Sequence, residues 1–271
     1  MMDGILIVCF GTTHLDSWEK TYGAIFRDAR EKYPGVPIYE AVTSGVIRKK
    51  LAETGKKTWD VFSALQRMGE AGISRVLVLT TFVIAGIEYD RLLEDCRRAA
   101  PRFAALSVLP PLLDCPAGLE QAAKAVLSRQ GKIREDTALV LLGHGTGHRG
   151  DFAYPALECA FRELGEERVL VGTVEGYLGL ASVRRRLTKL RPQKVLLRPF
   201  LFTAGDHAKN DMAGEGEGSW RTALTRDGCQ VDCILEGLGE IPAIRKMFLD
   251  RIRAAAYDGQ AGTPIEKQTR L

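Results

Sequence analysis

At 271 residues the chain is long enough for one large or two medium α/β domains with cores of their own. Hydrophobic residues make up 45% and charged residues 27%, which excludes a disordered or fibrous chain, and no apolar run approaches the roughly 20 residues of a bilayer-spanning helix. The formal net charge of +4 suits an anionic small molecule, but no basic stripe interleaved with aromatics is present, so neither nucleic acid nor membrane is expected as a partner.

The first predicted strand is Ile5–Phe10. Its apolar run stops at Gly11 and no basic stretch precedes it, so it reads as a buried strand rather than a secretory leader, and the cytoplasm is the expected location. Helical periodicity follows over Ser17–Lys32, then a strand over Pro37–Val42, a helix over Thr58–Ala71, a strand over Val76–Val83, a helix over Glu88–Ala100 and a strand over Ala105–Leu109. A helix over Ala117–Gln130 leads to a second series. Its strands are Ala138–Leu142, Val169–Val174, Val195–Phe202 and Gln230–Leu235, and its helices Phe152–Leu164 and Ser182–Leu190. Alternation of strand and helix implies parallel sheets flanked by helices, and continuously apolar strands imply burial on both faces. The six cysteines (Cys9, Cys96, Cys115, Cys159, Cys229, Cys233) are scattered with no CxxC pair, so reduced thiols are expected.

The two series also align with each other. Leu6–His14 matches Val140–His148, Ala41–Gly45 matches Gly172–Gly176, and Arg75 onward to Glu88 matches Lys194 onward to His207, always in the same order. A duplication is inferred: two pseudo-repeated α/β lobes, residues 1–125 and 126–257, followed by a polar tail, 258–271, expected to be disordered. Ligands bind such sheets at the carboxyl ends of the strands. The active cleft is therefore expected between the lobes, lined in the first by Phe10, Gly11, Thr12, Ser44, Gly45 and Glu88 and in the second by His144, Glu175 and His207.

All four histidines follow predicted strand tips. His144, Glu175 and His207 follow three successive strands of the second half, and two imidazoles with one carboxylate suit a borderline divalent ion while leaving a coordination position open. His14 and His148 are pseudo-equivalent, which favours helix capping or substrate contact for both. Glu88 stands where His207 stands in the other half; it is either a proton acceptor facing the metal or a first-turn carboxylate favoured by the helix dipole. Neither GxxxxGK[ST] nor GxGxxG opens a helix after the first strand, so no nucleotide is expected. Arg184–Arg186 reads as a solvated helix face, whereas Arg48, Lys49, Lys50, Arg198 and Lys209 lie nearer the expected rim and are candidates for carboxylate recognition.

These motifs resemble the anaerobic sirohydrochlorin cobaltochelatases, the CbiK type of the class II tetrapyrrole chelatases. The likeness runs from about residue 4 to residue 250 and rests on Cys9–Thr13, Thr43–Gly45, Gly143–Gly145, Val174–Tyr177 and Gly237–Glu240. Its most specific stretch is Ala204-Gly-Asp-His-Ala208 followed by Asn210-Asp-Met212. The resemblance implies a chelatase-like fold with metal ligands His144, Glu175 and His207, and an acidic active-site residue at Glu88. It implies nucleotide-independent insertion of Co²⁺ into sirohydrochlorin or precorrin-2, with Fe²⁺ or Ni²⁺ as alternative metals and a non-catalytic haem or metal carrier as the alternative class. His144 is expected to double as a proton acceptor because its glycine-rich loop reads as the most flexible. A homo-oligomer is compatible with all of this.

Overall fold

The computed structural model describes residues 2–257 and 262–266, and the chain forms two compact units, Met1–Leu112 with Arg245–Leu271, and Leu113–Ile244. Unit 1 runs β1 (Gly4–Cys9), α1 (Leu15–Trp18), α2 (Ala24–Lys32), β2 (Ile38–Val42), α3 (Gly45–Glu53), α4 (Val61–Glu70), β3 (Arg75–Thr80), α5 (Ile87–Ala99) and β4 (Ala105–Val108). Unit 2 runs α6 (Pro116–Gln130), β5 (Thr137–Gly143), α7 (Ala153–Glu163), β6 (Val169–Thr173), α8 (Leu180–Leu190), β7 (Lys194–Pro199), α9 (Trp220–Arg226) and β8 (Gln230–Cys233). Most of α10 (Pro242–Tyr257) and all of β9 (Thr263–Pro264) belong to unit 1. Among the described residues no helix is long and apolar enough to cross a membrane.

Both sheets place their strands in the order second, first, third, fourth: β2-β1-β3-β4 in unit 1 and β6-β5-β7-β8 in unit 2, all parallel. The repeat extends to register. Cys9 lies opposite Val42 as Gly143 lies opposite Thr173, and Val8 opposite Thr80 as Leu142 opposite Pro199, which are the pairs that the internal sequence alignment equates. The first strand of each unit is central, and β1 and β5 are buried along their whole length, which is why both read as unbroken apolar runs.

The chain turns sharply where those strands end. Gly11 has φ +100°, and a Cβ there would lie 2.6 Å from a methyl of Val42. Its amide donates to the Tyr22 hydroxyl at 3.3 Å. In unit 2 the Tyr154 hydroxyl does the same work, accepting from the Gly145 and His144 amides, and its ring fills the space beside Gly143. A buried tyrosine thus staples the first loop of each unit to the helix that follows.

Three helices lie beyond the periodic segments read from sequence: α3, α9 and α10. The Ser44 side chain caps α3 by accepting from Ile47 N, and Ser219 caps α9 by accepting from Thr222 N, the usual device for satisfying an orphan helix amide. The unit boundary also falls earlier than residue 125, because α6 packs with α7, and α10 is held by unit 1. Arg245 pairs with Asp28, Tyr33 Oη donates to Leu249 O, and the Arg251 guanidinium donates to the carbonyls of Pro110, Pro111 and Leu112. The expected disordered tail needs correction in part. Residues 258–261 and 267–271 lie outside the described residues, but Thr263–Pro264 pair antiparallel with Ser107–Val108, and Ile265 is buried in the unit 1 core. The driving force is local: the β4 edge offers unpaired backbone groups, and Ile265 N donates to Leu106 O at 2.9 Å.

The opposite problem, the open edge of β6, is solved with charge. Glu158 on α7 accepts from Val171 N at 2.7 Å, Arg186 on α8 donates to Val171 O at 2.8 Å, and the two side chains pair with each other. The run Arg184–Arg186 is a solvated face only in part: Arg184, bridged to Asp227, and Arg185 are exposed, whereas Arg186 is built into the sheet edge. Arg198 is also corrected. It sits in β7 only 2% exposed and paired with Glu236, so it grips no substrate. An arginine that close to the centre of a sheet stays charged only by taking a carboxylate with it.

Candidate functional site

Two imidazoles meet in unit 2. His144 leaves the end of β5 and His207 follows β7, and their rings stand edge to face with centroids 4.6 Å apart and planes at 86°. Each ring uses Nδ1 for support. His144 Nδ1 lies 2.8 Å from Gly145 O, and His207 Nδ1 lies 2.6 Å from Asp211 Oδ2. A carbonyl and a carboxylate only accept, so both Nδ1 atoms carry the proton and, in the neutral ring, both Nε2 atoms keep a lone pair. That is the tautomer a metal-ligating histidine needs.

Asp211, to which the sequence reading gave no role, is the partner of His207. It lies on the turn of π-helix Ala208–Met212 that follows His207, four residues on, so it returns over the ring; Asp206 and Asn210 pair with the same spacing. The i,i+4 spacing of a carboxylate after a candidate ligand was the available signal.

Glu175 is brought beside His144 through the backbone: its amide donates to His144 O at 2.8 Å. Its carboxylate is exposed, and among the described residues no three His, Cys, Asp or Glu side chains converge closely enough to enclose an ion. The two imidazoles are together; the expected third arm is adjacent but open. The loop read as the most flexible is instead held at several points, by Tyr154, by the Glu175 amide and by a hydrogen bond from Thr146 N to Asp151 Oδ1 at 3.1 Å.

In unit 1 a cavity of about 350 Å³ opens at the same end of the sheet, lined by Phe10, Ser44, Gly45 and Glu88 together with Asp60, Arg91 and Asp95. Phe10 is 43% exposed, and it stands where His144 stands in the other half. Gly11 and Thr12 do not reach this cavity: both are buried, and Thr12 Oγ1 accepts from His14 N. Glu88 occupies the first turn of α5 and pairs with Arg91 at 2.7 Å. Burial holds Asp95 above the usual carboxylate range against the pull of Arg98. Asp60 lies below that range: burial opposes its ionisation, but the hydrogen bonds from Ser63 and the charge of Arg48 prevail.

The remaining candidates fall elsewhere. His14 and His148 begin the helical segments after the first loops, and in both repeats the histidine amide donates to a threonine hydroxyl two residues earlier. His148 Nδ1 accepts from Gly150 N as a cap, whereas His14 makes no side-chain cap bond. Arg48 turns inward and donates to the Val42 and Thr43 carbonyls, which braces the loop before α3, and Lys49 and Lys50 are exposed.

The family model for cobalt chelatase (CbiK) matches residues 3–257. The sirohydrochlorin cobaltochelatase CbiKC of Nitratidesulfovibrio vulgaris is 34% identical over 255 residues, covering 93% of this chain and 90% of the relative. The sirohydrochlorin cobaltochelatase of Salmonella typhimurium is 32% identical over 261 residues, covering 94% and 97%. Among solved structures, SirB from Bacillus subtilis with Fe³⁺ superposes with a TM-score of 0.67 at 15% identity, over 97% of this chain and 99% of that one. CbiX, described as the terminal enzyme of sirohaem biosynthesis in denitrifying bacteria, superposes with a TM-score of 0.56 at 21% identity, over 93% and 99%. At those identities the two superpositions speak for the fold alone.

Proposed function

The chain belongs to the cobalt chelatase (CbiK) family, and on that footing we propose that it inserts Co²⁺ into sirohydrochlorin without a nucleotide, in the cytoplasm. The observation that carries the reading is the imidazole pair. Two Nε2 lone pairs on rings locked through Nδ1 make a ready seat for a borderline divalent ion, and the absence of a thiolate from that seat keeps the ion exchangeable. The substrate metal binds His144 and His207, with the Glu175 carboxylate closing as third ligand and the remaining positions left for pyrrolic nitrogens.

Phe10, an exposed aromatic residue, offers a flat apolar surface to the macrocycle, and the Ser44–Gly45 turn lines the cavity that takes its edge. As the metal passes to the ring nitrogens, two inner N–H protons leave. We assign their acceptance to Glu88 and to the histidine that the metal releases, groups whose chemistry suits proton transfer near neutral pH. No redox step is involved; the rate comes from holding ring and ion in position.

The test is to mix protein, sirohydrochlorin and Co²⁺ under anaerobic conditions and follow the absorption spectrum, with Fe²⁺ and Ni²⁺ in parallel. His144→Ala and His207→Ala serve as controls. Metal insertion should be fast with the wild type and lost in both variants. Wild-type rates no higher than those of the variants would overturn the reading. Replacing Glu88 by Gln should slow insertion while sparing Co²⁺ binding, which separates a chelatase from a carrier.

A further inference from the structure

Asp151 lies in the short 3-10 turn Arg149–Phe152 and is only 6% exposed. Its two oxygens serve two different loops: Oδ1 accepts from Thr146 N at 3.1 Å and Oδ2 from Tyr177 N at 2.8 Å. The first loop carries His144 and the second carries Glu175. The loops also touch backbone to backbone, with Val174 N donating to Gly143 O and Glu175 N to His144 O.

Two glycines permit this approach. A Cβ on Gly145, whose φ is +80°, would lie 2.3 Å from Gly176 N, and a Cβ on Gly176 would lie 2.3 Å from Asp151 Oδ1. An ionised carboxylate accepts at both oxygens, so it suits two amide donors from two directions; a carboxamide has one acceptor and sets its NH₂ against the other amide. In unit 1 the residue three past His14, as Asp151 is three past His148, is Ser17, and the loops there carry Phe10 and Ser44 in place of His144 and Glu175.

We propose that Asp151 is a positioning residue for metal binding, a latch that fixes the Glu175 loop against the His144 loop so that the Glu175 carboxylate reaches the ion held by the imidazoles. It touches neither metal nor tetrapyrrole. The inference rests on the reading of His144, Glu175 and His207 as ligands.

Co²⁺ alone is the probe, titrated anaerobically into wild type, Asp151→Asn, Glu175→Gln and the double variant, with affinity and ligand-field absorption as readouts. Asp151→Asn should weaken Co²⁺ binding about 10- to 100-fold, the range for outer-shell partners of metal ligands, and leave KM for sirohydrochlorin unchanged. The double variant should bind no more weakly than Glu175→Gln, because both changes remove the same ligand. Wild-type affinity in Asp151→Asn, or losses that multiply in the double variant, would overturn the latch. Loss of Co²⁺ binding in His144→Ala but not in Glu175→Gln would instead remove Glu175 from the ligand set, and the latch with it. Should Asp151→Asn not fold, Gly176→Ala, whose Cβ displaces the Asp151 carboxylate, runs the same cycle with the same expected outcomes.

Discussion

His207 and Asp211 form a carboxylate–imidazole pair, Nδ1 to Oδ2 at 2.6 Å, on a turn of π-helix that brings the acid back over the ring four residues later. The partner of His144 is different in kind: a backbone carbonyl one residue away. One histidine of the pair is therefore held by a side chain that can be replaced, and the other is not.

Asp211→Ala should weaken Co²⁺ binding by about 10- to 100-fold, since the bond sets both the tautomer and the orientation of His207. Asp211→Glu should recover part of the loss. Calorimetric titration with Co²⁺ checks this, and equal affinities for wild type and Asp211→Ala would show that the carboxylate has no hold on the ring.

Glu236 predicts an acid-dependent term in stability. Burial alone would raise its pKa, but the hydrogen bond from Arg129 and the charges of Arg198 and Arg129 outweigh it and hold the carboxyl below the usual range. A carboxylate with a depressed pKa stabilises the fold above its unfolded value, near 4.5, and that contribution is lost as the pH falls through the folded value. Glu236→Gln also removes the carboxylate paired with buried Arg198, at a cost of up to about 3–5 kcal/mol near neutral pH. Melting curves from pH 7 down to pH 3 should show the variant less stable and flatter with pH. Parallel curves would refute the assignment.

Glu158→Ala should destabilise unit 2 by about 2–3 kcal/mol, because it strips Val171 N of its acceptor and leaves Arg186 part-buried without its anion. Urea denaturation measures the loss. The variant should also self-associate more readily, through the β6 edge that the charged clamp covers, and sedimentation would detect it.

The strands were legible because parallel strands buried on both faces read as unbroken apolar runs, and the internal match of Leu6–His14 with Val140–His148 anticipated the register of both sheets. The His144–His207 pair was legible because histidine is scarce in this chain and each one follows a strand. Arg198 was not. A lone arginine near a strand tip reads the same whether it faces solvent or a glutamate 38 positions away, and only the packing decides. Asp211 was hidden for a related reason: its i,i+4 spacing from His207 pairs the two only if a helical turn follows that histidine, and the periodic segments read from sequence place no helix there. The allegiance of α10 was also unreadable: its apolar residues call for a sheet to cover but do not say which one.

That allegiance sets an order of events during synthesis. Unit 1 lacks Phe248, Ile252 and Ile265, all buried, until the ribosome has made everything from Leu113 to Ile244. The half begun first is thus the half finished last. Unit 2 can complete its core while unit 1 still waits for one helix and one short strand, a reversal of the usual rule that N-terminal domains mature earliest.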